Sequence, residues 1–185
     1  MKKGKFIVNG EIVSVTEVKG GKVELKLFTE TDKLIYVYLK RNNCNPYKWN
    51  VSDFISVEGS VVSMDSSELG TLNKIEFSSA TMKKLFTVDT QNENIDYCSQ
   101  FTMTGEIINV LPVDKDEYAL TLYTDEGLFV IRSDTHTLFS NITKLDVEKK
   151  VKINGVIYIT NYSHYSEDGN VVSRINYTAT QVEYA

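Results

Sequence analysis

Residues 22–41, KVELKLFTETDKLIYVYLKR, contain two runs of alternating character. In the first, Val23, Leu25 and Leu27 alternate with Lys22, Glu24, Lys26 and Phe28; in the second, Ile35, Val37 and Leu39 alternate with Tyr36, Tyr38 and Lys40. Successive side chains of a strand point to opposite faces, so each run predicts a strand with one aliphatic face turned to a core. Thr29 to Lys33 supplies a polar turn, and the whole predicts a β-hairpin. Its outward set mixes flat rings with ammonium groups: Lys22, Lys26, Phe28, Tyr36, Tyr38 and Lys40. Such a face suits a flexible polyanion carrying stackable bases, that is, single-stranded nucleic acid. Tyrosine and phenylalanine also favour ordinary strands, where cross-strand ring pairs stabilise a sheet without any ligand.

The hairpin is repeated. Phe6 to Val15, FIVNGEIVSV, is echoed by Phe101 to Val110, FTMTGEIINV, at an offset of 95 residues. The same offset carries Val23–Phe28 onto Tyr118–Tyr123, and an offset of 96 places Gly59 on Gly155. Three matched segments in one order predict two copies of a single fold. Each copy reads as five strands with a helical insertion between the third and fourth. In the first copy the strands fall at about 6–18, 22–29, 33–41, 54–64 and 72–83; in the second, at about 101–111, 117–125, 127–133, 150–161 and 171–182. Asn45 caps the first insertion with Pro46 at its first position, and Asp134 or Thr135 caps the second. The polar stretch between the copies reads as a linker, giving domains at 1–85 and 101–185 joined by 86–100.

A long first strand, a hairpin, a helix and a second hairpin follow the order of a five-stranded Greek-key barrel. On that strand order, and on Gly10 and Gly105 where the first strand must bend, each half resembles an OB-fold. The fold class expected is therefore all-β, with two consecutive OB-fold barrels. What the resemblance implies is a ligand groove across strands 2 and 3, flanked by the loops joining strands 1 and 2 and strands 4 and 5. In the first copy this groove carries the outward set above, with Lys19 in the adjoining loop and Arg41, Tyr47, Lys48 and Trp49 near one end. Trp49 reads either as a stacking platform or as an apolar plug for the barrel. In the second copy the groove carries Tyr123, with Phe129 and Arg132 on its third strand and Tyr162, His164 and Tyr165 in its last loop.

Charge separates the halves. Residues 1–85 hold 13 Lys/Arg against 10 Asp/Glu, a net of +3, whereas residues 86–185 hold 7 against 15, a net of −8. Lysine and arginine neutralise phosphates and an acidic surface repels them, so the first copy is the expected nucleic-acid contact. The second is expected to extend the groove, to form a homo-oligomer or to recruit replication proteins. No phosphate-cradling loop, nucleophile elbow or metal-ligand spacing occurs, so neither an enzyme nor a cofactor or metal is expected. Asp114, Asp116 and Glu117 read as an acidic turn. Cys44 and Cys98 lie too far apart for a metal motif and read as reduced thiols. No apolar run reaches the ~18 residues of a membrane helix, and the start lacks a signal-peptide core, which predicts a cytoplasmic protein.

Together these features resemble single-stranded DNA-binding proteins of bacterial, phage or plasmid type. Such a protein binds a strand without strong sequence preference during replication, recombination or DNA transfer. The last residues, TQVEYA, read as a strand end where the bacterial proteins carry an acidic tail. Single-stranded RNA is a variant of this reading, and an OB-fold adaptor using the same rings as a protein hot spot is the alternative.

Overall fold

A computed structural model of the chain describes residues 4–30, 33–62, 73–86, 98–143, 146–165 and 171–185. The hairpin forms as its alternation requires. β2 (Lys22–Glu30) and β3 (Lys33–Lys40) pair antiparallel, with Lys22 opposite Lys40, Lys26 opposite Tyr36 and Phe28 opposite Leu34. Val23, Leu25, Leu27, Ile35, Val37 and Leu39 are buried together, which leaves the lysines and rings on the other face.

Around this hairpin the first half closes on itself. β1 (Lys5–Val18) pairs with β4 (Phe54–Val62) along its first part and with β2 along its second. β4 pairs with β5 (Lys74–Phe86), which returns parallel to β3, so the five strands form a ring in the order β1, β2, β3, β5, β4. β1 changes partner at Gly10, which faces Ile55 of β4 while the next residue, Glu11, faces Phe28 of β2. A Cβ on Gly10 would lie 2.7 Å from the Phe28 carbonyl oxygen, and on Gly105 2.8 Å from that of Tyr123. Only glycine lets the long strand cross its neighbour so closely. The turn from β1 into β2 places Gly20 and Gly21 at φ of 85° and 69°, a region glycine enters without strain.

The second half repeats the pairings. β6 (Ser99–Asp114), β7 (Glu117–Thr124), β8 (Gly127–Asp134), β10 (Val171–Tyr184) and β9 (Lys150–Tyr165) follow one another in the sheet, β8 and β10 are parallel, and β9 pairs back to β6. Several strands outrun their expected limits: β5 reaches Phe86, β6 passes through Pro112, and β9 continues to Tyr165 where a loop was expected from Asn161. No glycine or proline interrupts residues 156–165, so nothing stops the strand before Tyr165.

Helix is scarce. The first insertion holds a single 3-10 turn, Pro46–Lys48, in which the Asn45 side chain accepts from the Tyr47 backbone N–H. The second holds the five-residue α1 (Thr135–Phe139), whose cap is Asp134, accepting from the Thr137 N–H at 2.6 Å. Backbone hydrogen bonding to Thr137 holds the Asp134 carboxyl below its ordinary range. Asparagine on both sides of Cys44 and after Trp49 offers the backbone local partners that compete with a helix.

Asp53 fastens the first insertion. It is 5% exposed; its carboxylate meets Lys84 Nζ at 2.9 Å and accepts from the Asn50 N–H at 3.1 Å. Burial opposes its charge, but the Lys84 hydrogen bond, the Asn50 N–H and the Lys84 charge prevail and hold its pKa below 3.8. The folded state therefore favours the carboxylate, and this stability is present above pH 3.8 and lost as pH falls through the lower folded value. Asp53→Ala is expected to cost about 1–3 kcal/mol at neutral pH, as for a lost buried hydrogen-bond acceptor. The deficit relative to the parent should shrink as urea melts are repeated at more acid pH.

The halves are joined edge to edge. Lys5, Phe6 and Ile7 of β1 pair antiparallel with Thr102, Phe101 and Gln100 of β6, and this makes one ten-stranded sheet. Phe6 and Phe101, equivalent by the repeat, lie directly opposite each other. Phe6 is fully buried against rings of the second half, with centroids 6.2 Å from Phe101, 5.7 Å from Phe129 and 6.1 Å from Tyr177. Burial pushes the Tyr177 hydroxyl well above its ordinary pKa. The Asn9 N–H donates to Ser99 Oγ at 3.0 Å, and the Gly4 N–H to Glu126 Oε1 at 2.6 Å. Of the stretch expected as a linker, residues 87–97 lie outside the described residues, while Ser99 and Gln100 already belong to β6.

Candidate functional site

The outer face of β2 and β3 gains a third strand from the closure of the ring. The Tyr36 N–H donates to the Asn73 carbonyl at 2.9 Å, and Asn73 Nδ2 to the Leu34 carbonyl at 3.2 Å. These two bonds set β5 beside β3 so that Lys74 stands next to Tyr36 and Glu76 next to Tyr38. One row across the face is then Lys26, Tyr36, Lys74, and the next is Glu24, Tyr38, Glu76.

Each ring carries an ammonium. Lys26 Nζ lies 5.4 Å from the centre of Tyr36, and Lys74 Nζ 5.6 Å from the centre of Tyr38. At exposed positions such contacts are worth only about 0.5–1 kcal/mol, so an arriving phosphate can draw the lysine away at little cost. The carboxylates are also engaged. The Tyr38 hydroxyl donates to Glu24, and Lys22 Nζ meets Glu76 Oε1 at 2.8 Å. Phe28, 40% exposed, extends the ringed surface, and Lys40 is exposed at its other end. Lys74 was not among the expected contacts, because a parallel pairing between strands far apart in sequence leaves no local pattern.

Burial, and then the hydrogen bond to Glu24, push the Tyr38 hydroxyl from 10.0 up to about 12. The folded state favours the neutral phenol, so this contribution is whole below pH 10 and is lost as pH rises toward 12. In a tyrosinate absorbance titration one tyrosine should ionise near 12 while the protein stays folded. Tyr38→Phe should remove that step.

The other expected residues divide. Arg41 sits at the end of β3 with Nη2 3.2 Å from Glu17, where its N–H also donates to the Gly21 carbonyl. Trp49 packs partly against the core beneath Lys48, in keeping with the plug rather than an open platform. Tyr123 is on the outer face of β7 and 56% exposed. Arg132 lies on the outer face of β8 with Nη1 3.0 Å from Glu117. Phe129 is not on that face: it is 7% exposed and packs inward against Phe6 and Tyr177. Its neighbours Leu128 and Val130 take the outer positions instead. Tyr162 and Tyr165 fall on the last turnward residues of β9, and their side chains, like that of His164, lie outside the described residues.

No protein-family model matches the chain, and no curated protein matches it in sequence. Among solved structures, the wild-type single-stranded DNA binding protein from Thermus aquaticus superposes with a TM-score of 0.60 at 13% identity, covering 100% of this chain and 93% of that one. A deletion mutant of the same protein gives the same score and identity over 94% of its own chain. A murine DNA binding protein bound with double-stranded DNA reaches a TM-score of only 0.31, too low to bear on topology. The fold is therefore all-β, closed by five-stranded pairing, and shared along the whole chain with the Thermus aquaticus protein. Among the described residues no helix is long and apolar enough to cross a membrane.

Proposed function

We propose that this chain is a pair of consecutive OB-fold barrels, divided near residues 85 and 101, that binds single-stranded DNA through the outer face of β2, β3 and β5. Tyr36, Tyr38 and Phe28 stack bases, and Lys22, Lys26, Lys40 and Lys74 meet phosphates. Recognition is independent of sequence because every base offers a ring face. The setting that suits such a protein is replication, recombination or the handling of mobile DNA in a cytoplasm. The observation that carries the reading is the row Lys26, Tyr36, Lys74, in which an accessible ring lies between two cations on a surface the fold does not need for its core. The fold shared with a single-stranded DNA binding protein supports it.

Fluorescence polarisation with labelled oligo-dT, oligo-rU and duplex at two salt concentrations tests it. Binding that favours the single strand and weakens with salt is expected; equal binding to duplex, or none at micromolar protein in low salt, rejects it. Lys26→Ala and Lys40→Ala should each flatten the salt dependence by roughly one released counterion. Glu76→Gln should do the reverse, because it releases Lys22 from its 2.8 Å partner and strengthens the local field.

A further inference from the structure

The surface of the second half equivalent to this face has a different chemistry. Its rows are Glu106, Tyr123, Leu128, then Asn109, Thr121, Val130, then Leu111, Ala119, Arg132. Where the first half sets Lys26 beside Tyr36, the second sets Thr121 beside Val130; where the first has Lys22 opposite Lys40, the second has Glu117 opposite Asp134. Thr16, beside Glu24 in the first half, is replaced by Leu111 beside Ala119. The lysine positions are held by Glu117, Thr121 and Asp134, and aliphatic side chains take the places of Tyr36, Thr16 and Glu24. Leu111, Tyr123 and Val130 are 54%, 56% and 53% exposed, and the cation in the strip, Arg132, bridges Glu117 at 3.0 Å.

Tyr123, Leu128 and Val130 are neighbours on β7 and β8, Leu111 stands beside Ala119 one strand away, and exposed apolar side chains gathered on one face of a folded protein mark an interaction surface. Its rim decides the occupant. Glu106, Glu117 and Asp134 border the strip, and residues 86–185 carry a net charge of −8. Phosphates would meet carboxylates there, and two copies of the strip set face to face would oppose like charges. The complement is a surface of rings interleaved with lysines. The chain carries one on its first half, where Lys26 and Lys74 flank Tyr36, Phe28 lies one row beyond, Lys22 and Lys40 face each other at the far end of the hairpin, and residues 1–85 carry a net charge of +3. We propose that the apolar strip of β6, β7 and β8 docks the lysine-and-ring face of a second copy of this chain in a head-to-tail contact. Self-association and single-stranded DNA then compete for the same lysines, so copies released from one another become the binding-competent form.

The test is sedimentation of the full chain over a range of concentrations and salt, first without DNA. The parent should show a mass that rises with concentration and falls with salt. Val130→Asp and, separately, Leu111→Asp should weaken self-association ~tenfold or more, as for an interface anchor, while thermal melts show that each remains folded. Lys26→Glu should weaken it as well, and saturating oligo-dT should dissociate the parent. A parent that stays monomeric at low salt up to high concentration overturns the proposal, as does a folded Val130→Asp protein that associates like the parent. Loss of oligo-dT affinity in monomeric Val130→Asp would assign the strip to nucleic acid and overturn it too. Because association is measured without DNA, a parent that associates but binds no oligo-dT would reject the DNA reading and leave this contact standing.

Discussion

Phe6→Ala is expected to lower stability by about 3–5 kcal/mol, the usual cost of emptying a buried aromatic site. For a chain of this size that is roughly 6–20 °C in melting temperature. The expectation follows from position more than from ring size. Phe6 belongs by sequence to the first half, yet it is fully buried among Phe101, Phe129 and Tyr177 of the second. Its loss leaves a cavity between the halves and loosens the short β1–β6 pairing at its centre, where Phe6 faces Phe101. Circular dichroism and calorimetry measure both effects. The parent should unfold in one transition; Phe6→Ala should unfold earlier, with any separation into two transitions reporting that the halves have come apart. A loss below about 1 kcal/mol would mean that the halves do not depend on this cluster.

Tyr36→Ala should cost about 1–3 kcal/mol of binding to oligo-dT, the range for a stacked base, or roughly 5–150-fold in affinity. Tyr36→Phe should keep most of it, since the ring face and not the hydroxyl makes the stack. Tyr38→Ala falls in the same range but carries a second effect: it strips Glu24 of its donor and Lys74 of its ring. Tyr38→Phe separates the two, because it keeps the ring and removes only the donor. Folding should survive each change, as both side chains lie on the outer face of β3 with the core residues Ile35, Val37 and Leu39 between them and beyond. Polarisation titrations at fixed salt give the affinities.

How much of this was legible in the sequence depends on the range of the interaction. The hairpin was legible because Val23, Leu25, Leu27 and their partners Ile35, Val37 and Leu39 recur at every second position, between charged and aromatic residues, so a single choice of face satisfies both strands. The repeat was legible at Gly10 and Gly105, where the backbone crossing tolerates no Cβ. Phe129 was misplaced for a local reason: Leu128, Phe129, Val130 and Ile131 are all apolar, and a run without alternation does not say which residues face inward. Lys74, Glu76 and the Phe6 cluster were invisible for a topological one. The β3–β5 and β1–β6 pairings join segments far apart in the chain, and nothing in either segment names its partner. The pairing of Glu24 with Tyr38 was within reach, since a two-strand register alone sets them opposite each other.

The most direct measurement is photocrosslinking of an oligonucleotide carrying bromodeoxyuridine, followed by mass spectrometry of the attached peptides. Crosslinks are expected on Phe28, Tyr36 and Tyr38, to weaken with salt, and to disappear when unlabelled oligo-dT is added. Crosslinks confined to residues 101–185, or bound DNA that never attaches to β2 or β3, would contradict a binding surface built on the Lys26, Tyr36, Lys74 row.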